Sequence, residues 1–477
     1  MARTGALVAV VLACCACGGS GTGSLPTSPP STGPRPSFVV VVADDMAYGL
    51  FGPERRFPFL RLPNLERLTA RGVSFDHAYV TTSLCSPSRA TLLSGLYAHT
   101  HGVFANEQAE LGPDTATYPK LLQAAGYETA FVGKWHMNAQ TDAPRPGFAY
   151  WLSFRGQGVY ENPLLNENGR AIQRTGYLTD LLTDYAVDWL RRPRTTPFVL
   201  ILAHKAPHNP AVPAPRHASM FPDAALPEPA SFEDSFADKP SWQRRYARCG
   251  GVAAAFANCP DPQPAALAPA PWPAQDPGQL AYLRTLLALD ESLGRVMAEL
   301  DAQGRTASTY VVFVSDNGLF LGEHRIGDKR LAYEESLHVP LVVAGPGIAP
   351  RRAEPTVLNL DLAPTLLELA GVAKPAEMQG RSFAGVLRGS EGEIRDSFLY
   401  EYANDAFLPV IPDILAVRQP NRKYVMYPQS PGEEELYDLV NDPHELTNLA
   451  GNPDFAIARA QLRQRLMRLL EETGAPR

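Results

Sequence analysis

Four stretches of the chain are almost uninterruptedly apolar: Ser37 to Val42, Glu128 to Val132, Pro197 to Leu202 and Ser308 to Val314. None alternates apolar and polar positions as a half-exposed strand would, so they suit strands covered on both faces, as in a parallel sheet clad by helices. Between them apolar residues recur at helical spacing over Thr117 to Ala125, Thr179 to Leu190 and Gln279 to Leu300, the last carrying Leu283, Leu286, Leu287, Leu293 and Leu300. The pattern predicts an α/β domain with a large, mostly parallel sheet flanked by helices. After about Lys374 it changes. Phe398 to Tyr402, Ile414 to Val417 and Lys423 to Tyr427 read as short antiparallel strands, the last two joined across Pro420-Asn421. A helix after Asn452-Pro453, with Leu462, Leu466 and Leu469 on one face, completes a smaller C-terminal α+β subdomain over 375–477. Residues 209–277 are rich in proline and alanine and show little periodicity, which predicts a long excursion over the surface at the rim of a site.

Composition narrows the class. The chain has 477 residues, 45% apolar and 19% charged, as an ordinary globular protein with ample core does. A formal charge of −7 leaves no basic footprint, which excludes nucleic acid as a partner. Any positive potential for an anionic substrate must therefore be local. Arg3 followed by the apolar run Ala6 to Ala13, too short to span a bilayer, reads as an export signal. Cys14-Cys15-Ala16-Cys17-Gly18-Gly19-Ser20 resembles a bacterial lipoprotein cleavage box with Cys17 as lipid acceptor, which would make the protein periplasmic or anchored at the cell surface, with plain secretion as the alternative. The segments are then a leader over 1–17, a Gly/Ser/Thr/Pro tether over 18–36 and a catalytic domain over 37–374 that contains the 209–277 excursion.

Of six cysteines, three lie in the leader, and Cys249 and Cys259 close a short loop that an oxidising compartment could lock as a disulfide. Cys85 is left alone. An unpaired thiol in an exported protein is a liability unless it is buried or chemically converted. It opens Cys85-Ser86-Pro87-Ser88-Arg89, where Pro87 fits an early helical position, Ser86 and Ser88 can cap the first turn, and Gly95 stops a helix through Ser94. A helix mouth at residue 85 suits an oxyanion, and Arg89 one turn on adds a planar donor fork for sulfate or phosphate.

The residues just beyond each apolar run carry the chemistry. Asp44-Asp45 stands after the first, Lys134 and His136 after the second, His204 and His208 after the third, and Asp316-Asn317 after the fourth. Ligands of open α/β sheets bind beyond the carboxyl ends of the strands, so these groups should converge in one crevice. Asp44, Asp45, Asp316 and Asn317 offer only hard oxygen ligands, which favours Ca²⁺, and less well Mg²⁺, over zinc. Lys134 and His136 share a side if the backbone stays extended. His208 sits in a stiff Pro-flanked loop that suits a positioned acid or base, whereas His204 serves structure.

From about Pro36 to Ala450 the chain resembles a type I sulfatase of the alkaline-phosphatase-like superfamily. The resemblance rests on Val41-Val42-Ala43-Asp44-Asp45, Cys85 to Arg89 with Leu92-Leu93-Ser94-Gly95, Gly126 to His136, Ser315-Asp316-Asn317-Gly318 with Leu321 to His324, and Glu435 to Asp438 with Asn441 to Glu445. It implies that a formylglycine-generating enzyme oxidises Cys85 to formylglycine, whose hydrate attacks sulfur beside a Ca²⁺ ion. The metal would be held by Asp44, Asp45, Asp316 and Asn317 together with residue 85. The implied roles elsewhere are sulfate binding by Arg89, Lys134 and Lys329, protonation of the leaving alcohol by His208 with Lys329, and removal of the second hydroxyl proton by His136. The segment from Phe154 to Gly169 resembles bacterial glycan or glucosamine-6-sulfate sulfatases, which implies a sulfated carbohydrate or glycosaminoglycan-type sugar as substrate. His338 departs from the family, standing where many members have arginine. A phosphodiesterase or phosphonate monoester hydrolase of the same superfamily is the rival enzyme. A silent glycan-binding lipoprotein is the rival of another class.

Overall fold

The computed structural model describes residues 35–53, 55–106, 110–248, 272–390 and 392–475. The leader, Cys17, most of the tether, and both Cys249 and Cys259 lie outside the described residues. A ten-stranded sheet dominates, in the order Arg351–Ala353, Gly72–Phe75, Leu341–Ala344, Thr309–Ser315, Ser37–Asp44, Phe198–Pro207, Glu128–Lys134, Tyr150–Phe154, Leu164–Glu167, Arg170–Gln173. The five central strands from Thr309–Ser315 to Tyr150–Phe154 are mutually parallel, while antiparallel pairings on either side make the sheet mixed.

The central strand explains why its sequence does not alternate. Val39, Val41 and Ala43 enter one core with residues of the helices Leu178–Arg191 and Pro277–Ala302; Phe38, Val40 and Val42 enter the opposite core with residues of Cys85–Ser94, Tyr118–Ala124 and Leu362–Leu369. Each fully buried valine contributes about 1.5–3 kcal/mol, so neither face has room for a polar position. Among the described residues no helix is long and apolar enough to cross a membrane.

The second sheet is antiparallel, in the order Phe398–Tyr402, Ile414–Gln419, Arg422–Met426, Glu434–Asp438. Gln419 pairs with Arg422, which makes Pro420-Asn421 the expected two-residue turn. Leu462, Leu466 and Leu469 of the helix Ala456–Thr473 cover the same core.

The 209–277 stretch differs from expectation. It contains a helix, Ser241–Arg248, with Gln243 and Tyr246 buried, and Gln243 Nε2 donates to Tyr427 OH at 3.0 Å and Glu435 Oε1 at 2.8 Å. Eight residues are too few to announce a period, and the surface that stabilises them, the C-terminal sheet, is remote in sequence.

Candidate active site

The parallel register brings the strand ends together. Ala43 pairs with Ser315, so Asp44-Asp45 and Asp316-Asn317 leave adjacent strands side by side, and the Asp316 N–H donates to Ala43 O at 3.0 Å. Carboxylate oxygens of Asp44, Asp45 and Asp316 lie within 4.8 Å of one another, and all three residues are buried. Asn317 Nδ2 donates to Asp45 Oδ1 at 2.5 Å. Two glycines make the approach possible. A Cβ on Gly318 would lie 2.0 Å from Glu335 O, and one on Gly133, whose φ is +124°, would lie 1.8 Å from Ala203 O, so only hydrogen fits at either place.

Cys85 opens the helix Cys85–Ser94, which Gly95 ends in a left-handed conformation at φ 68°, as expected. The two serines, however, do not cap it. Asn106 Oδ1 accepts the Ser86 N–H at 2.9 Å, which frees both hydroxyls; Ser86 Oγ donates to His136 O at 2.8 Å and Ser88 Oγ to Asp316 O. A competing acceptor on another element displaces a local capping bond, and here it ties the helix mouth to two strand ends. Cys85 Sγ ends 3.6 Å from Asp44 Oδ1, 4.0 Å from Asp45 Oδ1 and 3.0 Å from Lys329 Nζ.

Arg89 spans three strand ends. Its Nε donates to Asp316 Oδ2 at 2.9 Å and Nη1 to Lys134 O at 2.6 Å, while Nη2 lies 2.8 Å from Asp316 Oδ2 and 3.5 Å from Asp44 Oδ1 without an aligned hydrogen bond. Lys134 pairs with Asp44, and Lys329 with Asp45. His136 reaches the site differently from expectation. The strand ends at Lys134 and His136 turns through φ 62°, so the ring arrives by a kink, with Nδ1 3.4 Å from Ser86 Oγ. His208 Nδ1 donates to Asn209 O, leaving Nε2 3.7 Å from Asp45 Oδ2. Asp45 (φ 73°), Asp328 (φ 78°) and Arg330 (φ 83°), the latter two flanking Lys329, are also left-handed. Such backbone costs of order 1 kcal/mol per non-glycine residue and concentrates where function demands a side chain.

Charge is balanced tightly. Burial pushes the Asp44 carboxyl up, but Lys134, His208, Arg89 and Lys329 outweigh it and hold it well below the usual range; Lys329 and His208 do the same, less strongly, for Asp45. Burial and the Asp44 charge lift Asp316 to about 7, Arg89 notwithstanding. Burial drives the Cys85 thiol up to about 12 against Lys134 and Lys329, so an unconverted cysteine here is a poor nucleophile. Burial and then Lys134 hold His136 well below its ordinary value and His208 down to about 3.

Asn317 Oδ1, a buried acceptor with no hydrogen-bond partner among the described residues, adds a further oxygen to those of the three crowded carboxylates. The residues present therefore fit a hard divalent cation. Cys85 is the single free cysteine among the described residues.

Cys85 and the nine other residues assigned to the site in the sequence thus come together beyond the ends of the central strands. Lys205 was not singled out, although it stands between His204 and His208 at the end of a buried strand. It is 3% exposed, couples electrostatically to Lys134, Asp44, Asp45 and Cys85, and lies 5.0 Å from the centroid of the Tyr160 ring. His204 is structural as expected: its Nε2 meets Ser292 Oγ at 3.0 Å under the helix Pro277–Ala302. His338 stacks on Tyr48 with ring centroids 3.9 Å apart.

A family model described as Sulfatase matches residues 36–372, and one described as N-sulphoglucosamine sulphohydrolase, C-terminal, matches residues 322–472. An N-acetylglucosamine-6-O-sulfatase of Bacteroides thetaiotaomicron is 31% identical over 495 residues, covering 92% of this chain and 86% of the relative. The solved structure of BT4656 in complex with its substrate D-glucosamine-2-N,6-O-disulfate superposes with a TM-score of 0.81 at 29% identity, covering 92% of this chain and 98% of that one. A phosphonate monoester hydrolase from Silicibacter pomeroyi shares the fold, with a TM-score of 0.74 at 22% identity over 92% of this chain and 96% of its own.

Proposed function

The chain belongs to the sulfatase family and is a sulfuric ester hydrolase, and we propose that it removes a sulfate monoester from a carbohydrate, a glucosamine-type 6-O-sulfate being the foremost candidate. The observation that carries the reading is the meeting of three carboxylates and three cations, from three strand ends, a helix and a loop, around Cys85 Sγ. The relatives' substrates support the sugar.

Asp44, Asp45, Asp316 and Asn317, with residue 85, would hold Ca²⁺, for which their oxygen-only donors suit better than for zinc. Formylglycine at position 85 would supply a hydrated-aldehyde hydroxyl as nucleophile, and a bound cation would lower that hydroxyl's pKa and polarise the sulfate oxygens. Cys85 Sγ stands in for the hydroxyl oxygens of that hydrate. Arg89 Nη2, Lys134 and Lys329 hold the sulfate oxygens and the charge that develops on them. His208, whose Nδ1 is fixed by Asn209 O, carries the mobile proton at Nε2 and passes it to the leaving alcohol, with Lys329 beside it. Burial keeps that ring neutral, so the bound sulfate's negative charge must raise its pKa before it can serve as the acid. His136, held neutral by burial and Lys134, is suited to take at Nε2 the proton whose departure releases sulfate.

The protein would be exported and lipidated at Cys17, with a catalytic domain over 37–374 and a C-terminal subdomain over 375–477. Sulfate release from defined sulfated sugars, beside parallel turnover of an aryl sulfate and an aryl phosphodiester, tests the function. Greater efficiency on the diester would replace this reading with the phosphodiesterase one. Mass analysis of the residue 85 peptide from the native host should find the aldehyde; an intact cysteine there would refute the nucleophile.

A further inference from the structure

Lys205 is a buried ammonium that nothing in the mechanism above uses. It sits in a bulge. Val42 pairs with Ala203 but Asp44 with Pro207, so the central strand advances two residues while its neighbour advances four. Bulges re-aim side chains beside active sites. Ala203 faces the core that holds the Cys85–Ser94 helix, but Lys205 leaves that alternation and its Nζ lies 5.0 Å from the ring centroid of Tyr160, a member of the opposite core.

The other cations of the site are engaged: Arg89 with Asp316, Lys134 with Asp44, Lys329 with Asp45. Lys205 Nζ has neither a hydrogen bond nor an ion pair among the described residues, although the residue is only 3% exposed. The Tyr160 face replaces part of its hydration. A lysine left in this state is built for an anion that arrives later. Two contacts tie the Lys205 backbone and its Tyr160 neighbour to the group assigned to the leaving alcohol. The His208 N–H donates to Lys205 O at 2.9 Å, and Tyr160 OH donates to His208 O at 2.9 Å. Lys205, Tyr160 and His208 therefore form one unit, and His208 is the group assigned to the leaving alcohol.

We infer that Lys205 is a further catalytic residue, whose ammonium contacts the leaving oxygen of the sulfate ester and offsets the negative charge that grows there. The inference rests on the function proposed above. As the S–O bond breaks, its electron pair stays on the alcohol oxygen, which takes its proton from His208 Nε2; Lys205 keeps all three of its own and acts through charge. Burial and Lys134 lower its pKa to about 8, so it remains cationic at neutral pH.

The test compares the wild type, Lys205→Met and Lys205→Arg on aryl sulfates graded by the acidity of the leaving phenol. Lys205→Met should lose about 100-fold in kcat/KM on the least acidic phenol, the usual effect of removing one charge-stabilising donor, and about tenfold or less on the most acidic. Lys205→Arg should recover most of the loss. An equal loss across the series, or none, overturns the inference. Because the ammonium has no partner, Lys205→Met should unfold at the same or a higher guanidinium chloride concentration than the wild type; a clear fall makes Lys205 structural and also overturns it. If the wild type cleaves aryl phosphodiesters in preference to sulfates, the substrate reading fails, and the same graded comparison on diesters still judges Lys205.

Discussion

Replacing Arg89 by lysine tests the geometry most directly, because the change keeps the charge and removes only the shape. The guanidinium engages Asp316 through Nε at 2.9 Å and through Nη2 at 2.8 Å, and reaches Lys134 O through Nη1 at 2.6 Å. One tetrahedral ammonium cannot span these acceptors. Lysine keeps one contact and forfeits at least one charge-assisted bond, worth about 1.5–3 kcal/mol in a buried setting. Asp316, already lifted to about 7 by burial and Asp44, is then held by a less well placed charge, so its upward drift adds to the cost. The expected penalty is about 3 kcal/mol of stability, read as a lower guanidinium chloride midpoint with an unchanged slope. Activity should fall by about 100-fold in kcat/KM, since Nη2 is also the donor left for the sulfate and each 1.36 kcal/mol is a factor of ten. The assay is sulfate release from an aryl sulfate by matured enzyme, with folding measured on the same preparation. Activity within threefold of the wild type together with an unchanged midpoint would falsify the claim that the fork, rather than the charge, organises the strand ends. A lowered midpoint with full activity would confine Arg89 to architecture.

Chelation should abolish turnover, and Ca²⁺ should restore it better than Mg²⁺; activity that survives exhaustive chelation would remove the metal from the proposal. Gly133→Ala would drive a Cβ to 1.8 Å from Ala203 O at φ +124°, so the variant should fail to accumulate or unfold several kcal/mol more easily, and a wild-type melt would show that the two strands part more freely than argued. Burial lowers His204 from about 6.5 to about 3, so it folds neutral while the unfolded chain takes up a proton. Its stabilisation is complete above about pH 6.5 and is lost as pH falls towards 3, about 2 kcal/mol by pH 5. His204→Gln should flatten the denaturation midpoint between pH 7 and 5 relative to the wild type, and parallel profiles would contradict this.

Much of the architecture could be read from the chain because the signals are local. A short valine-rich apolar run with no polar alternation suits a strand covered on both faces, and each of the four proved to be one. Their observed ends lie further on than the apolar composition suggests, at Asp44, Lys134 and Pro207, because the last strand residues carry the chemistry rather than the core. Lys205 escaped notice for the same reason, hidden between two histidines in a bulge that no local pattern announces. The Ser241–Arg248 helix escaped because its partner is the C-terminal sheet.

The residue types at the strand ends, the helix from Cys85 stopped by Gly95, and the family were all determined by the amino-acid order, since each depends on chemistry within a few positions. Only the folded chain decided how these groups meet. The in-register pairing of Ala43 with Ser315 sets Asp44, Asp45 and Asp316 within 4.8 Å of one another. The serines next to Cys85 bind His136 O and Asp316 O rather than capping their own helix. Burial then separates the titrations, holding Asp44 low and lifting Asp316 to about 7 and the Cys85 thiol to about 12. Those outcomes depend on desolvation and on charges brought from remote strands, a helix and a loop, quantities that exist only once the chain has folded.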